Sequence, residues 1–475
     1  MKLYRNAIIL VIVLGLLTGA YYVFKNNKKV GTDTDLGKPS ETIKILSLDQ
    51  LEMAKITVEN SGQTMVFERT MVKQKSDDGK ETDVKSWKIS SPADLRIDPS
   101  KVESLAINVS SVIADKLIEE NAADLSKYGL DKPVRVTVQM NDGSVKTLEI
   151  GSQTPTKAGY YVKEKDAGKV YTIDSYTGEK IKVAKNNVRD DRLFPDLSSD
   201  NVTGFAMERK GQSVFTSKKA GNTEWNLTSP IQGDVNTTSV MPMLDAVVLS
   251  TVVNYTEDKP ADLSKYGLDK PSYAFEVDTG TAKTRLLLGS ESKTAGEIYA
   301  KFENTNEVFT LSTEVYNFLD KPLKEIVEVF AYLVNISDVN TMTVEIDGKT
   351  IKSDIQTDKD DKDKDKFVVN GIDVSALKDE NDGQYFRKFY SAVIGVTLSE
   401  IETGVKPSGT PEITFTYNLK TAPGTMKVEF IPKDARSYYV LRNGEYTGIT
   451  VDKQKFDEAD GVRQTYDRLV KAMEK

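Results

Sequence analysis

The sequence predicts an α+β protein in which an N-terminal transmembrane helix precedes three tandem units, each a mainly antiparallel sheet with one principal packed helix in the order β-β-α-β-β-β-β. Three observations predict it. Residues 7–24 form an 18-residue run without a charge, Ala123–Pro133 recurs without change at Ala261–Pro271, and in each copy short strand-like runs flank one stripe of helical period. The 475 residues are too many for one ordinary core and fit about three domains of roughly 100 to 200 residues.

The run Ala7–Phe24 (AIILVIVLGLLTGAYYVF) spans roughly 27 Å at a rise of about 1.5 Å per residue, enough for a bilayer core. Tyr21 and Tyr22 suit the interfacial belt. A cleaved signal peptide, cut after Thr18-Gly19-Ala20, is the competing reading. The anchor is favoured because the apolar run continues into Lys25, Lys28 and Lys29. The short tail with Lys2 and Arg5 resembles the start of an export signal, so the long C-terminal region is expected outside the cytoplasm of a single-pass protein. No Cys follows the run, which excludes a lipoprotein. The expected organisation is an anchor at 1–30, a linker at 31–45, and repeat units at 46–195, 196–332 and 333–475.

Composition removes several kinds of chemistry. With no cysteine and no histidine, the chain cannot build a thiolate nucleophile, a disulfide, a zinc site with N or S ligands, or a Ser-His-Asp triad. Setting aside the five basic residues of the first thirty leaves 59 of the 64 lysines and arginines against 72 acids, a net −13. Nucleic acid is therefore not an expected partner.

The eleven-residue identity fixes an offset of 138, and at that offset Trp87 meets Trp225, Ser91-Pro92 meets Ser229-Pro230, Gly151-Ser152 meets Gly289-Ser290, and Tyr161 meets Tyr299. A third, diverged copy has Phe367 where the tryptophans stand, and Tyr438-Tyr439-Val440 echoes Tyr160-Tyr161-Val162. A period near 140 residues is far beyond that of solenoids, so the copies are tandem domains.

In the first copy Ile56–Glu68 and Ser86–Ile89 read as strands. Asp98-Pro99 then opens a helix that places Val102, Leu105, Ala106, Val109 and Ile113 on one face. The second copy keeps the stripe as Val240, Met243, Leu244 and Val247, opened by Asn236. Val134–Met140, Lys146–Ile150, Tyr160–Lys163 and Lys169–Ile173 follow as strands separated by turn residues. Hairpin, helix and meander imply an antiparallel sheet with one face under the helix.

Within the repeated segment, Asp124 can cap a turn over Leu125–Tyr128, Gly129 supplies the left-handed residue that ends it, Leu130 packs back, and Pro133 launches the next strand. Leu263, Tyr266, Gly267, Leu268 and Pro271 repeat the pattern. A structural role accounts for every one of these residues; a partner or ligand surface on Tyr128 and Tyr266 is the functional alternative. At Leu125, Tyr128, Gly129, Leu130 and Pro133, followed by Ile150-Gly151, and at their counterparts ending in Leu288-Gly289, the chain resembles the bacterial domain-of-unknown-function 4340 family. The third copy departs, with Thr403-Gly404-Val405 in place of Tyr-Gly-Leu. The resemblance implies membrane anchoring, gene neighbourhood with gliding-motility-type ABC transporters, an accessory role, and no catalytic residues.

Other constellations are weak. Glu119-Glu120 and Asp190-Asp191 could serve a carboxylate-dependent hydrolase, but among 72 acids on the order of ten adjacent pairs arise by chance, and such chemistry needs two carboxylates across a cleft. Asp358–Lys366 (DKDDKDKDK) lacks the glycine and the twelfth-position glutamate of a calcium loop. Like Lys73–Lys85 in the first copy, it reads as a solvated hairpin tip. Gly151–Gly159 has neither the lysine placement nor the following helix of a phosphate cradle, so neither nucleotide nor any other cofactor is expected. The function expected is that of a non-catalytic extracytoplasmic protein, anchored in the membrane through 7–24, that serves a transporter or envelope partner. A cell-envelope polysaccharide-binding module is the alternative.

Overall fold

In a computed structural model of the chain, the structure describes residues 43–474 apart from 76–80, 222–223, 236, 328 and 422. The anchor expected at 7–24, most of the 31–45 linker and Asn236 lie outside the described residues. Among the described residues, no helix is long and apolar enough to cross a membrane.

The α+β expectation is corrected. Strands make up 43% and helices 20%, so the protein is mostly β. Among the described residues four sheets contain two, eight, ten and nine strands, and every strand pairing is antiparallel. The expectation overweighted the helices because their 3.6-residue stripes are conspicuous. One 12-residue helix covers a sheet of eight strands in the first repeat.

The chain forms two compact units, divided between Arg189 and Asp190. In the first, the strands lie in the order Glu81–Ser91, Gln63–Lys75, Met53–Asn60, Val134–Met140, Val145–Gln153, Gly159–Glu164, Val170–Asp174 and Lys116–Glu119. The expected single strand Ile56–Glu68 is two strands, because Ser61 (φ 50°) and Gly62 (φ 78°) turn the chain between them. Asp98 caps the helix Pro99–Ser110 by accepting from the Ser100 N–H at 2.9 Å. The helix buries Val102, Leu105, Ala106 and Val109 against Ile56, Phe67, Trp87 and Val136 in one core. Ile113 leaves the expected stripe: the helix ends at Ser110, and Ile113 sits 44% exposed in a short strand paired with Lys44–Ser47.

The second unit repeats this arrangement twice. Its ten-stranded sheet runs from Asn254–Glu257 through Val308–Ser312, Glu297–Phe302, Lys283–Glu291, Tyr273–Asp278, Gly204–Arg209, Gln212–Lys219, Trp225–Ser229 and Gly233–Val235 to Val329–Phe330. Its nine-stranded sheet is centred on Val339–Ile346 paired with Ile413–Leu419. Helix Thr237–Val248 buries Val240, Met243, Leu244 and Val247, and helix Tyr385–Ile394 buries Phe386, Phe389, Tyr390 and Val393. One continuous hydrophobic core joins these two repeats.

A candidate interaction site

In both signature loops an aspartate starts a single 3-10 turn. Asp124 Oδ1 accepts from Ser126 N at 3.0 Å and from its Oγ at 2.6 Å, and Asp262 Oδ1 accepts from Ser264 N at 2.8 Å. The turns span Ser126–Tyr128 and Ser264–Tyr266. Gly129 (φ 65°) and Gly267 (φ 66°) then reverse the chain in the left-handed region. The Leu130 and Leu268 amides donate back to the Leu125 and Leu263 carbonyls at 3.0 and 3.1 Å. Pro133 precedes the strand that begins at Val134, and Pro271 lies two residues before the one that begins at Tyr273.

The turns hold tyrosines that face inward. Tyr128 is 8% exposed and Tyr266 7%. Tyr128 packs on Tyr161 with ring centroids 4.9 Å apart, and Tyr266 packs on Tyr299 at 4.8 Å. Their hydroxyls donate to Glu119 at 2.7 Å and Glu257 at 2.6 Å. Lys127 and Lys265 reach the same carboxylates at 2.6 and 2.5 Å while lying over the rings at 4.9 and 4.7 Å. The lysine and then the tyrosine hydroxyl hold each glutamate below the usual carboxylate range. Hydrogen bonding to Glu119 pushes Tyr128 up, and burial followed by Glu257 does the same for Tyr266, so both remain hydroxyl donors.

Gly151 and Gly289 close the other side, where a Cβ would sit 2.2 Å from the Tyr128 carbonyl oxygen and 2.0 Å from that of Tyr266. The leucines, tyrosines and glycines of the signature are thus engaged by their own repeats. Sequence reasoning missed Glu119 and Glu257 as partners, although they too stand 138 apart. Glu119, one of the paired acids noted in the sequence, is a hydroxyl acceptor. Asp190 is held by Arg192 at 2.8 Å.

The third repeat solves the same problem with other residues. Gly404 keeps a positive φ of 79°, but no atom lies within 4 Å of its Cβ position. Tyr439 instead packs edge-on to Tyr446 at 5.4 Å, Tyr446 donates to the Glu402 carbonyl at 2.9 Å, and Lys433 pairs with the Glu402 carboxylate.

The aromatic residues at Trp87, Trp225 and Phe367 mark a second shared position. Trp87 donates its indole N–H to Glu103 on the helix at 2.6 Å, and Arg69 binds that carboxylate at 2.9 and 3.0 Å while lying 5.1 Å from the ring centroid. At Phe367 the charges exchange places: Arg387, on the helix, lies 5.4 Å from the ring centroid and pairs with Asp365. The middle copy has neither arrangement. The helix position 138 after Glu103 is Met241, and no described residue accepts from the indole of Trp225, which is only 1% exposed.

Trp225 lines a cleft of about 550 Å³ with Glu224, Asp234, Asp338, Tyr390 and Arg387. Asp234 is occupied by the Leu333 N–H at 2.7 Å and by Arg442 at 3.3 Å, and Tyr390 donates to the Val334 carbonyl at 3.0 Å. Glu224 and Asp338 have no ion-pair partner among the described residues.

Other grooves carry charges that pair among themselves. In one of about 830 Å³, Lys378 pairs with Asp382 at 3.0 Å, Lys455 with Glu458 at 3.3 Å, and Lys388 with Asp379. Among the described residues no cluster could hold a metal ion. In the tract at 358–366, Asp358 caps the Asp360 and Asp361 amides at 2.9 Å, and Asp365 accepts from Asp358 N at 2.8 Å.

No curated protein and no solved structure matches the chain. The family model described as Domain of unknown function (DUF4340) matches it twice, over residues 87–259 and 225–383. The two matches begin at Trp87 and Trp225, the same 138-residue step that separates the signature loops. The chain therefore belongs to the DUF4340 family, and carries its domain at least twice.

Proposed function

We propose that the chain is a non-catalytic interaction protein, tethered to the membrane through residues 7–24, whose repeats outside the cytoplasm present surfaces to a protein partner such as the membrane part of an ABC transporter. The observation that carries this reading is how the signature is used: its tyrosines, lysines and glycines brace their own repeats, as in a scaffold, while carboxylates without an ion-pair partner among the described residues line the cleft beside Trp225. The uncharged N-terminal run with its basic tail supports the tether.

The polysaccharide alternative needs tyrosine rings at the surface. Burial of Tyr128 and Tyr266 favours a protein partner over a glycan. Affinity capture from solubilised membranes, using chains with and without residues 1–30, tests the proposal. The intact chain is expected to retain a transporter or other membrane subunit; recovery of none with the anchor present would overturn it.

A further inference from the structure

We propose that the cleft walled by Trp225, Glu224 and Asp338 docks a lysine- or arginine-bearing segment of the partner protein, an inference that rests on the interaction reading above.

Three observations converge on that occupant. First, the cleft has net negative charge available to a ligand. Arg387 is committed to Asp365 and Arg442 engages Asp234, leaving the exposed carboxylates of Glu224 and Asp338 without a cationic partner among the described residues. Second, the Trp225 indole is nearly fully buried in the cleft wall with an unused donor. The first repeat satisfies the matching indole with Glu103, whereas no described residue accepts from that of Trp225. In the middle repeat the indole N–H is open to an acceptor on an occupant of the cleft. Third, a volume of about 550 Å³ accommodates a short peptide stretch.

An occupant that is both cationic and a hydrogen-bond acceptor meets both needs. A basic peptide offers its side-chain cation to the carboxylates and a backbone carbonyl to Trp225. A polyamine supplies only the cation, and an acidic peptide only the acceptor.

The chain has two tryptophans, so its fluorescence reports on this site with Trp87 as the internal reference. The full-length protein would be titrated with acetyl-Gly-Lys-Ala-Arg-Gly-amide, with the same peptide carrying glutamates in place of Lys and Arg, and with spermidine. Saturable binding of the basic peptide alone is expected. The spectral change should vanish in Trp225→Phe, and affinity should fall about tenfold in the double variant Glu224→Gln, Asp338→Asn. Both carboxylates are exposed, so that variant should keep its fold, which circular dichroism verifies.

No saturable binding, equal binding of the acidic peptide or of spermidine, or full affinity in the double variant would each overturn the proposal. Membrane capture separates its failure from that of the broader reading. A partner still captured by the double variant at wild-type yield sinks the cleft alone, whereas no partner captured by the unmodified chain sinks the interaction role itself.

Discussion

Gly129 and Gly404 occupy the same point of their repeats, and both adopt the left-handed backbone. Around Gly129 the chain is closed tightly enough that a methyl group would lie 2.8 Å from the Ser152 amide nitrogen; around Gly404 nothing lies within 4 Å. The first two repeats pin this loop with a buried tyrosine, a glutamate, a lysine and a Gly-Ser step. In the third, an aromatic pair with its own lysine and glutamate has moved to Tyr439 and Tyr446, and burial pushes the Tyr446 hydroxyl up to about 12. The eleven-residue identity therefore encodes one packing solution.

The largest effect should come from Gly151→Ala or Gly289→Ala, because the new methyl group meets a backbone carbonyl that cannot move aside. A loss of about 3 kcal/mol is expected, read as a lowered urea midpoint of the affected unit. A neutral result at either glycine would break the idea that the loop is clamped.

Trp87→Phe and Trp225→Phe sharpen the contrast between the first two repeats. The first deprives Glu103 of a donor and should cost about 2 kcal/mol. The second removes a donor that has no partner and should cost about 1 kcal/mol by the same measurement. Equal losses would contradict the difference between the two junctions.

The smallest effect is electrostatic. The folded-state pKa values of Glu119 and Glu257 lie below their ordinary range, so their contribution is fully present above that range and is lost as pH falls through the lowered folded values. Carboxyl titrations by NMR should show both midpoints displaced downward. Midpoints at the ordinary glutamate value would dissolve the pairing with tyrosine and lysine.

Much of the repeat was legible because its signals are local. Asp98-Pro99, the stripe from Val102 to Val109, and the run Val134–Met140 each announce themselves within a few residues. The edge strands Lys116–Glu119 and Asn254–Glu257 do not: they are four residues long, and neither buries a side chain fully. Missing such strands is how a mostly β protein came to be read as α+β. At the signature, the turn and its glycine followed from backbone rules, whereas the glutamate partner required matching positions across repeats. The open cleft was beyond reach, because it depends on Met241 not being a glutamate and on a helix from the next repeat bringing Tyr390 and Arg387 to Trp225.

The central claim, that the signature locks its own repeat, is tested most directly by placing alanine in turn at Gly129, Gly267 and Gly404 and measuring the stability of each full-length variant by urea unfolding. All three carry the left-handed backbone cost of about 1 kcal/mol. Gly129→Ala and Gly267→Ala should add roughly 1 to 2 kcal/mol from collision with the Ser152 and Ser290 backbone, and Gly404→Ala should add nothing further. Three equal losses would contradict the account.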